Sequence, residues 1–197
     1  MLSTESEKLD PRVKRTRHMI EQAFMELVTE KGFQAVSVQD VTERAGINRA
    51  TFYAHFPDKF ALLDHAIRQD FHAEIEKRTL NVCHFSQDNL RNLIIAVCEF
   101  VANAHGHCAV SEQQFQALVE SQVRSQIYGL LYHWLEKIPL IQNTPITREY
   151  AATSASWAIY GLATEWSRNK RQPPVEKYAD EVFPLIAANL GLTIELA

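Results

Sequence analysis

The side chains best suited to chemistry crowd the stretch from Ser37 to Lys59, where Ser37, Asn48, Arg49, Thr51, Tyr53, His55 and Lys59 supply hydroxyl, amide, guanidinium, phenol, imidazole and ammonium groups. Such groups donate hydrogen bonds to phosphate oxygens and to base edges, and small neighbours such as Ala50 let a backbone come close to a groove. Catalytic patterns are missing: the chain has no HExxH, GxSxG, GxGxxG or P-loop, and none of the Glu-x-x-His pairs of a di-metal helical bundle. The other chemically suggestive cluster is His105-Gly106-His107-Cys108, with Cys83-His84 upstream. Imidazole and thiolate are zinc ligands, but no matched second pair follows at ligand spacing, so no metal or cofactor is expected. A metal-responsive regulator is the reading this cluster would support.

Helical signals surround the donor-rich stretch and dictate how it is held. Asp10 is placed to cap a helix whose first residue is Pro11, and Ile20, Ala23, Phe24, Leu27 and Val28 repeat at helical spacing up to a stop at Gly32. Ser37 caps a second, short helix over 38–45, with Asp40 at its first turn and Gly46 ending it. Asn48 then caps a third helix over 49–55, in which Phe52 and Phe56 face inward one turn apart. Pro57 closes it, and Asp58 opens a fourth helix over 58–78 with Phe60, Leu63, Ala66, Ile67, Phe71 and Ile75 on one stripe.

No segment alternates as a strand would, so the fold class is all-α. Further helices are expected near 88–104, from a Ser111-x-x-Gln114 capping box to about Lys137 as one or two helices, and from Thr147 to about Asn169. Pro139 and Pro145 bracket a loop, Pro173-Pro174 precede a last helix ending near Gly191, and Pro184 should kink or break that helix.

Two short helices joined by a glycine turn meet the specification of a helix-turn-helix, the second helix lying in the major groove. The net charge of −4 does not oppose this. Residues 1–60 hold nine basic against nine acidic residues, and residues 61–197 hold eleven against fifteen, so the acidic excess lies in the later part. Arg12, Lys14, Arg15 and Arg17 form a local positive run suited to phosphates. No apolar run approaches the roughly 20 residues that span a bilayer, and the start is unlike a signal peptide. Three cysteines without a pairing pattern fit a reducing compartment, so a cytoplasmic protein is expected.

The string GFQAVSVQDVTERAGINRATFYAHFPDKFALL, residues 32–63, closely resembles the N-terminal domain of the tetracycline-repressor (TetR) family of regulators. The resemblance rests on Ala45-Gly46-Ile47 at the turn, Thr51-Phe52-Tyr53 in the recognition helix, His55-Phe56 after it, and Lys59 followed by Leu62-Leu63; it covers about residues 12–65. It implies phosphate contacts at Tyr53, His55 and Lys59, with further hydrogen bonds from Ser37 and Thr51. Base reading then falls to Asn48, Arg49 and Ala50, and Ala54 offers only a methyl group. Ala50 departs from the glycine common at that position, which limits how closely the backbone approaches DNA.

The organisation expected is an N-terminal arm (1–11), a DNA-binding domain (12–60) and a helical domain (61–197) for dimerisation and effector binding, with the fourth helix linking them. One helix-turn-helix reads few base pairs, so a homodimer on a palindromic double-stranded operator follows. The helix after Thr147 is rich in small residues (Ala151, Ala152, Ser154, Ala155, Ala158, Gly161 and Ala163) that let another helix approach. The resemblance implies that the last two helices of each subunit form a four-helix bundle. It also implies a small-molecule pocket, for which Phe100, Phe115, Tyr128, Trp134, Trp157 and Tyr160 are candidate lining. Repressor habit comes from the family alone. A helical interaction protein or an enzyme without DNA binding are the rival classes.

Overall fold

A computed structural model describes residues 10–78, 84–107, 113–138, 146–169 and 173–192, with the side chains of 105–107 and 113–114 excepted. Among the described residues there are eight helices and no strand: α1 (Pro11–Lys31), α2 (Val38–Ala45), α3 (Arg49–His55), α4 (Lys59–Arg78), α5 (Gln87–His107), α6 (Gln113–Glu136), α7 (Arg148–Arg168) and α8 (Val175–Asn189). None of them is long and apolar enough to cross a membrane. The chain divides into two compact units, Met1–Ala66 with Cys108–Phe115, and Ile67–His107 with Gln116–Ala197.

Local capping chemistry sets each boundary in the first unit. The Asp10 carboxylate accepts the Arg12 amide at 2.8 Å, and Pro11 occupies the first helical turn, where its missing N–H costs nothing. At α2 the Ser37 hydroxyl accepts from the Asp40 amide while the Asp40 carboxylate accepts from the Ser37 amide at 2.7 Å, a reciprocal capping box. Gly46 sits at φ 67°, a left-handed conformation that a side chain would strain, and so turns the chain sharply into α3. Asn48 caps α3 through its side-chain oxygen, 2.7 Å from the Thr51 amide. Asp58 accepts from both Phe60 and Ala61 amides at 2.8 Å and starts α4.

Ile20, Phe24, Val28, Phe33, Val41, Phe52, Phe56 and Leu62 form the apolar centre of this unit, each buried. At about 1.5–3 kcal/mol per buried large side chain, this packing rather than helix propensity holds the short α2 and α3. One expectation fails here: Phe60 is 47% exposed, and Leu62 takes the inward place, joining Leu63, Ala66, Ile67, Phe71 and Ile75. The Phe60 ring still meets the edge of Phe33 at 5.3 Å.

In the second unit α5 packs along α7 and against α8, and α7 against α8. Leu93 to Cys98 are all buried, so α5 is enclosed on most of its circumference rather than along one stripe. Ala151, Ala152, Ala155 and Ala163 of α7 are buried by the chain itself. The small-residue stripe therefore serves intrachain packing first, and only Ser154, Ala158 and Gly161 remain wholly or partly accessible. The Tyr178 hydroxyl donates to the Leu162 carbonyl at 3.0 Å, and the Trp166 indole to the Pro173 carbonyl at 3.1 Å, tying α8 to α7 and the approach to it.

Residues 113–136 are one helix, not two. Pro184 does not break the last helix: α8 runs from Val175 to Asn189 through it. Both Pro184 and Asp180, whose carbonyl loses the helical bond, lie on the exposed side, where water can satisfy that carbonyl. The Ser111 capping box and the Pro139–Pro145 loop lie outside the described residues.

Candidate nucleic-acid interface

The first helix of the helix-turn-helix, α2, is held by ion pairs as well as by its core residues. Arg44 donates two bonds to the Glu30 carboxylate at 2.9 and 2.7 Å and approaches Glu26 at 3.4 Å, while Lys31 meets Asp40 at 2.9 Å. These pairs fasten α2 to α1. The bidentate arginine holds the Glu30 carboxyl below its ordinary range, and hydrogen bonds from Ser37 and then Lys31 depress Asp40 strongly. The braced α2 in turn fixes α3, whose Phe52 is fully buried.

With Phe52 inward, the remaining positions of α3 turn to solvent. Asn48, Arg49, Ala50, Tyr53 and Ala54 are exposed, Tyr53 by 56%, and Thr51 and His55 are half-buried. Tyr53 stands edge-on to Phe52 at 5.5 Å, which fixes the phenol's direction without burying it. The structure thus brings Asn48, Arg49, Ala50, Thr51, Tyr53 and His55 onto a single short helix and its cap.

The hydroxyls are already engaged. Ser37 donates to Asp40 at 2.6 Å and Thr51 to the Asn48 side-chain oxygen at 3.0 Å, so either must rotate to donate to a phosphate. The Asn48 side-chain oxygen serves the cap, which leaves its NH₂ as the group that can donate to a ligand. Arg49 donates from Nη2 to the side-chain oxygen of Gln39 at 2.7 Å.

Lys59, expected at a phosphate, is engaged within its own domain. Its ammonium donates to the carbonyls of Phe33 at 3.1 Å, Gln34 at 3.2 Å and Val36 at 2.8 Å, and lies 4.6 Å from the Phe33 ring centre. An ammonium has three hydrogens, and here each has an acceptor within the domain. The physical reason is the α1–α2 loop, whose carbonyls find no helical partner and converge on the start of α4. Lys59 ties that loop down.

Arg17 offers what Lys59 does not. Its guanidinium lies 5.5 Å from the Phe56 ring centre, its Nε is enclosed without an acceptor, and no acid pairs with it among the described residues. Beside it, His55 has its pKa lowered from 6.5, first by burial and then by the Arg17 charge. The Arg17 guanidinium, beside an imidazole that can take up a proton when an anion approaches, favours an anion. The basic run of the sequence already contained Arg17. That it meets His55 depends on how α1 crosses α3, which the sequence does not spell out.

Of the six candidate pocket residues, Phe115 belongs to the first unit and the other five to the second. Phe115 packs on Phe33 in the first unit, with ring centres 6.0 Å apart. In the second unit Phe100 meets Phe71 at 5.2 Å, Trp134 is buried beside Phe85, and Tyr128 stacks on Tyr132. Tyr160 is nearly buried, whereas Trp157 is 52% exposed under the Arg124 guanidinium, 3.5 Å from its ring centre. Most of these rings make packing contacts with another ring. No cluster of three or more metal-ligand side chains occurs among the described residues. The side chains of His105, His107, Cys108 and Cys83 lie outside them.

A sequence profile of the bacterial regulatory proteins of the tetR family matches residues 20–66, from the middle of α1 through the helix-turn-helix into α4. The uncharacterized HTH-type transcriptional regulator YvdT of Bacillus subtilis is 27% identical over 180 residues, 86% of this chain and 92% of that one. The N-terminal region of this chain is that of a TetR-family transcriptional regulator. Solved structures with the same fold agree along nearly the whole length. A TetR-family regulator from Streptomyces coelicolor matches with TM-score 0.64 at 18% identity, covering 92% of this chain and 97% of that one. The regulator FadR of Bacillus subtilis, in complex with stearoyl-CoA, matches with TM-score 0.55 at 16% identity, covering 89% and 99%. In keeping with that region, the chain is a DNA-binding transcriptional regulator and not an enzyme.

Proposed function

We propose that this regulator is a cytoplasmic homodimeric repressor, that residues 12–60 bind a palindromic double-stranded operator, and that residues 61–197 carry dimerisation and the response to a small-molecule effector. The observation that carries the DNA reading is the face of α3, on which Asn48, Arg49, Ala50 and Tyr53 stand exposed while Phe52 anchors the helix from behind. Tyr53, His55 and Arg17 are its phosphate contacts, with Ser37 and Thr51 as hydroxyls that rotate to join them, and Asn48 and Arg49 read bases.

Dimerisation is supported by an open face on the last two helices. Tyr150, Ser154, Trp157 and Gly161 follow one another at helical spacing on the outer side of α7, and Leu185 and Ala188 are exposed on α8. Burial of these groups against a second copy would set two recognition helices for half-sites about 34–36 Å apart or a multiple of it. An effector acts by favouring a subunit arrangement in which that spacing is lost. The acyl-CoA-bound FadR, sharing this fold, is a precedent for a ligand in such a protein.

Selection of bound duplexes from a random pool tests the reading. Recovery of an inverted repeat supports both operator and dimer, whereas a monomer in light scattering at micromolar concentration, or indifference to every duplex at low salt, would refute it.

A further inference from the structure

We infer that Gln39, on α2 rather than on the recognition helix, is a specificity-determining residue: it orients the Arg49 guanidinium, and Glu43 in turn orients Gln39. The inference rests on the proposal that Arg49 reads a base. Its observation is a chain of two bonds across the outer surface of the helix-turn-helix. Gln39 Nε2 donates to Glu43 Oε1 at 2.9 Å, one helical turn on, and Gln39 Oε1 accepts from Arg49 Nη2 at 2.7 Å.

The chemistry of the two neighbours leaves the amide only one way round. A carboxylate accepts and cannot donate, while a guanidinium donates and cannot accept. Rotating the Gln39 amide would set its oxygen against Glu43 and its NH₂ against Arg49, breaking both bonds at once. The relay is therefore directional, running from carboxylate to amide to guanidinium.

Gln39 uses one of the two Nη2 hydrogens of Arg49. The other Nη2 hydrogen, with Nε–H or an Nη1 hydrogen beside it, still forms the two-pronged edge that fits guanine O6 and N7. The arginine need not let go of Gln39 to read a base. An unrestrained surface arginine loses much of its rotamer freedom on binding, and a tethered one has lost part of it beforehand. The relay also explains a carboxylate on a surface that meets phosphates: Glu43 weakens general attraction to DNA but keeps the amide turned correctly.

The test is a base-pair substitution scan of the selected half-site with the full-length chain, comparing wild type, Gln39→Ala, Glu43→Ala, Arg49→Ala and the double variant Gln39→Ala/Arg49→Ala. Gln39→Ala is expected to lose roughly tenfold of discrimination, and only at the base pair where Arg49→Ala loses it, because the freed guanidinium must now be ordered on binding. The double variant is expected to match Arg49→Ala. Glu43→Ala should lower the same discrimination while raising affinity for random DNA. Melting temperatures should stay together, since all three side chains are exposed. A loss of discrimination at a different base pair would make Gln39 an independent reader, an additive double variant would deny the coupling, and unchanged discrimination in Gln39→Ala or Glu43→Ala would remove the relay; each overturns the inference while leaving the operator reading intact. A wild type that selects no sequence overturns both.

Discussion

Lys59→Met separates two roles that the same lysine could play. Methionine keeps the apolar stem and removes the ammonium, so the carbonyls of Phe33, Gln34 and Val36 lose its three bonds, while Phe33 keeps the Val36 amide at 3.3 Å. The Gln34 carbonyl is exposed enough for water to replace it, but the other two are partly buried, and each such bond to a charged donor contributes about 1 kcal/mol net once desolvation is counted. The ammonium 4.6 Å from the Phe33 ring centre adds about 0.5–1 kcal/mol. The expected loss is about 2–3 kcal/mol, or roughly 5–10 °C in melting midpoint for a chain of this size. Circular dichroism gives the midpoint, and amide exchange should show residues 32–37 opening first. Fluorescence anisotropy on a labelled duplex, well below either midpoint, gives the salt dependence. A lysine tied to carbonyls leaves the slope of log K against log salt unchanged, whereas removing an ammonium that neutralises a phosphate would flatten it by about 0.9. An unchanged midpoint with a flattened slope would refute the assignment.

Other perturbations read other parts of the interface. Arg49→Ala should cost about 1–3 kcal/mol on the selected operator and little on random DNA; equal losses on both would take Arg49 out of base reading. Phosphate raises the pKa of His55 from its lowered value, so binding takes up a proton and affinity should rise as pH falls from 8 towards 6 at fixed ionic strength, a trend that His55→Gln abolishes. In the free protein the sign is opposite: unfolded His55 binds its proton more readily than folded His55, so its contribution to stability declines as pH falls through 6.5. A pH trend that survives His55→Gln would exclude it as the titrating group. Phe52→Ala empties the fully buried site behind α3 and should cost about 3–5 kcal/mol with loss of all DNA binding, and a variant that melts and binds normally would show that the anchor is elsewhere.

Much of the first unit is legible in the sequence because its signals are local. Asp10, Ser37, Asn48 and Asp58 each cap the helix that follows within three residues, and Gly46 turns the chain where a left-handed backbone is required. Such interactions depend on neighbours in sequence, so residue order contains them. What residue order hides are partners that are distant along the chain. The resemblance assigns Lys59 to a phosphate, yet its acceptors lie 23 to 26 residues earlier. In sequence Gln39 is one polar residue among many, and only the packing of α2 on α3 gives it Arg49 as a neighbour ten residues on.

The second unit resists for a different reason. A helical stripe reports which side is covered, not by what, and α5 buries six consecutive residues from Leu93 to Cys98 because α7 and α8 both pack on it. Once a helix is enclosed, apolar spacing no longer separates a packing face from a cavity wall. Trp134 and Trp157 illustrate this: both are tryptophans at helical spacing, one almost fully buried beside Phe85, the other half exposed beneath Arg124. Cys98 follows the same logic, since burial pushes its thiol up to about 12 and makes it a packing residue rather than a redox sensor. A response to an effector has to be sought in how this enclosed bundle accommodates a ligand, because the residue types along its helices do not distinguish a ring that packs from a ring that waits for one.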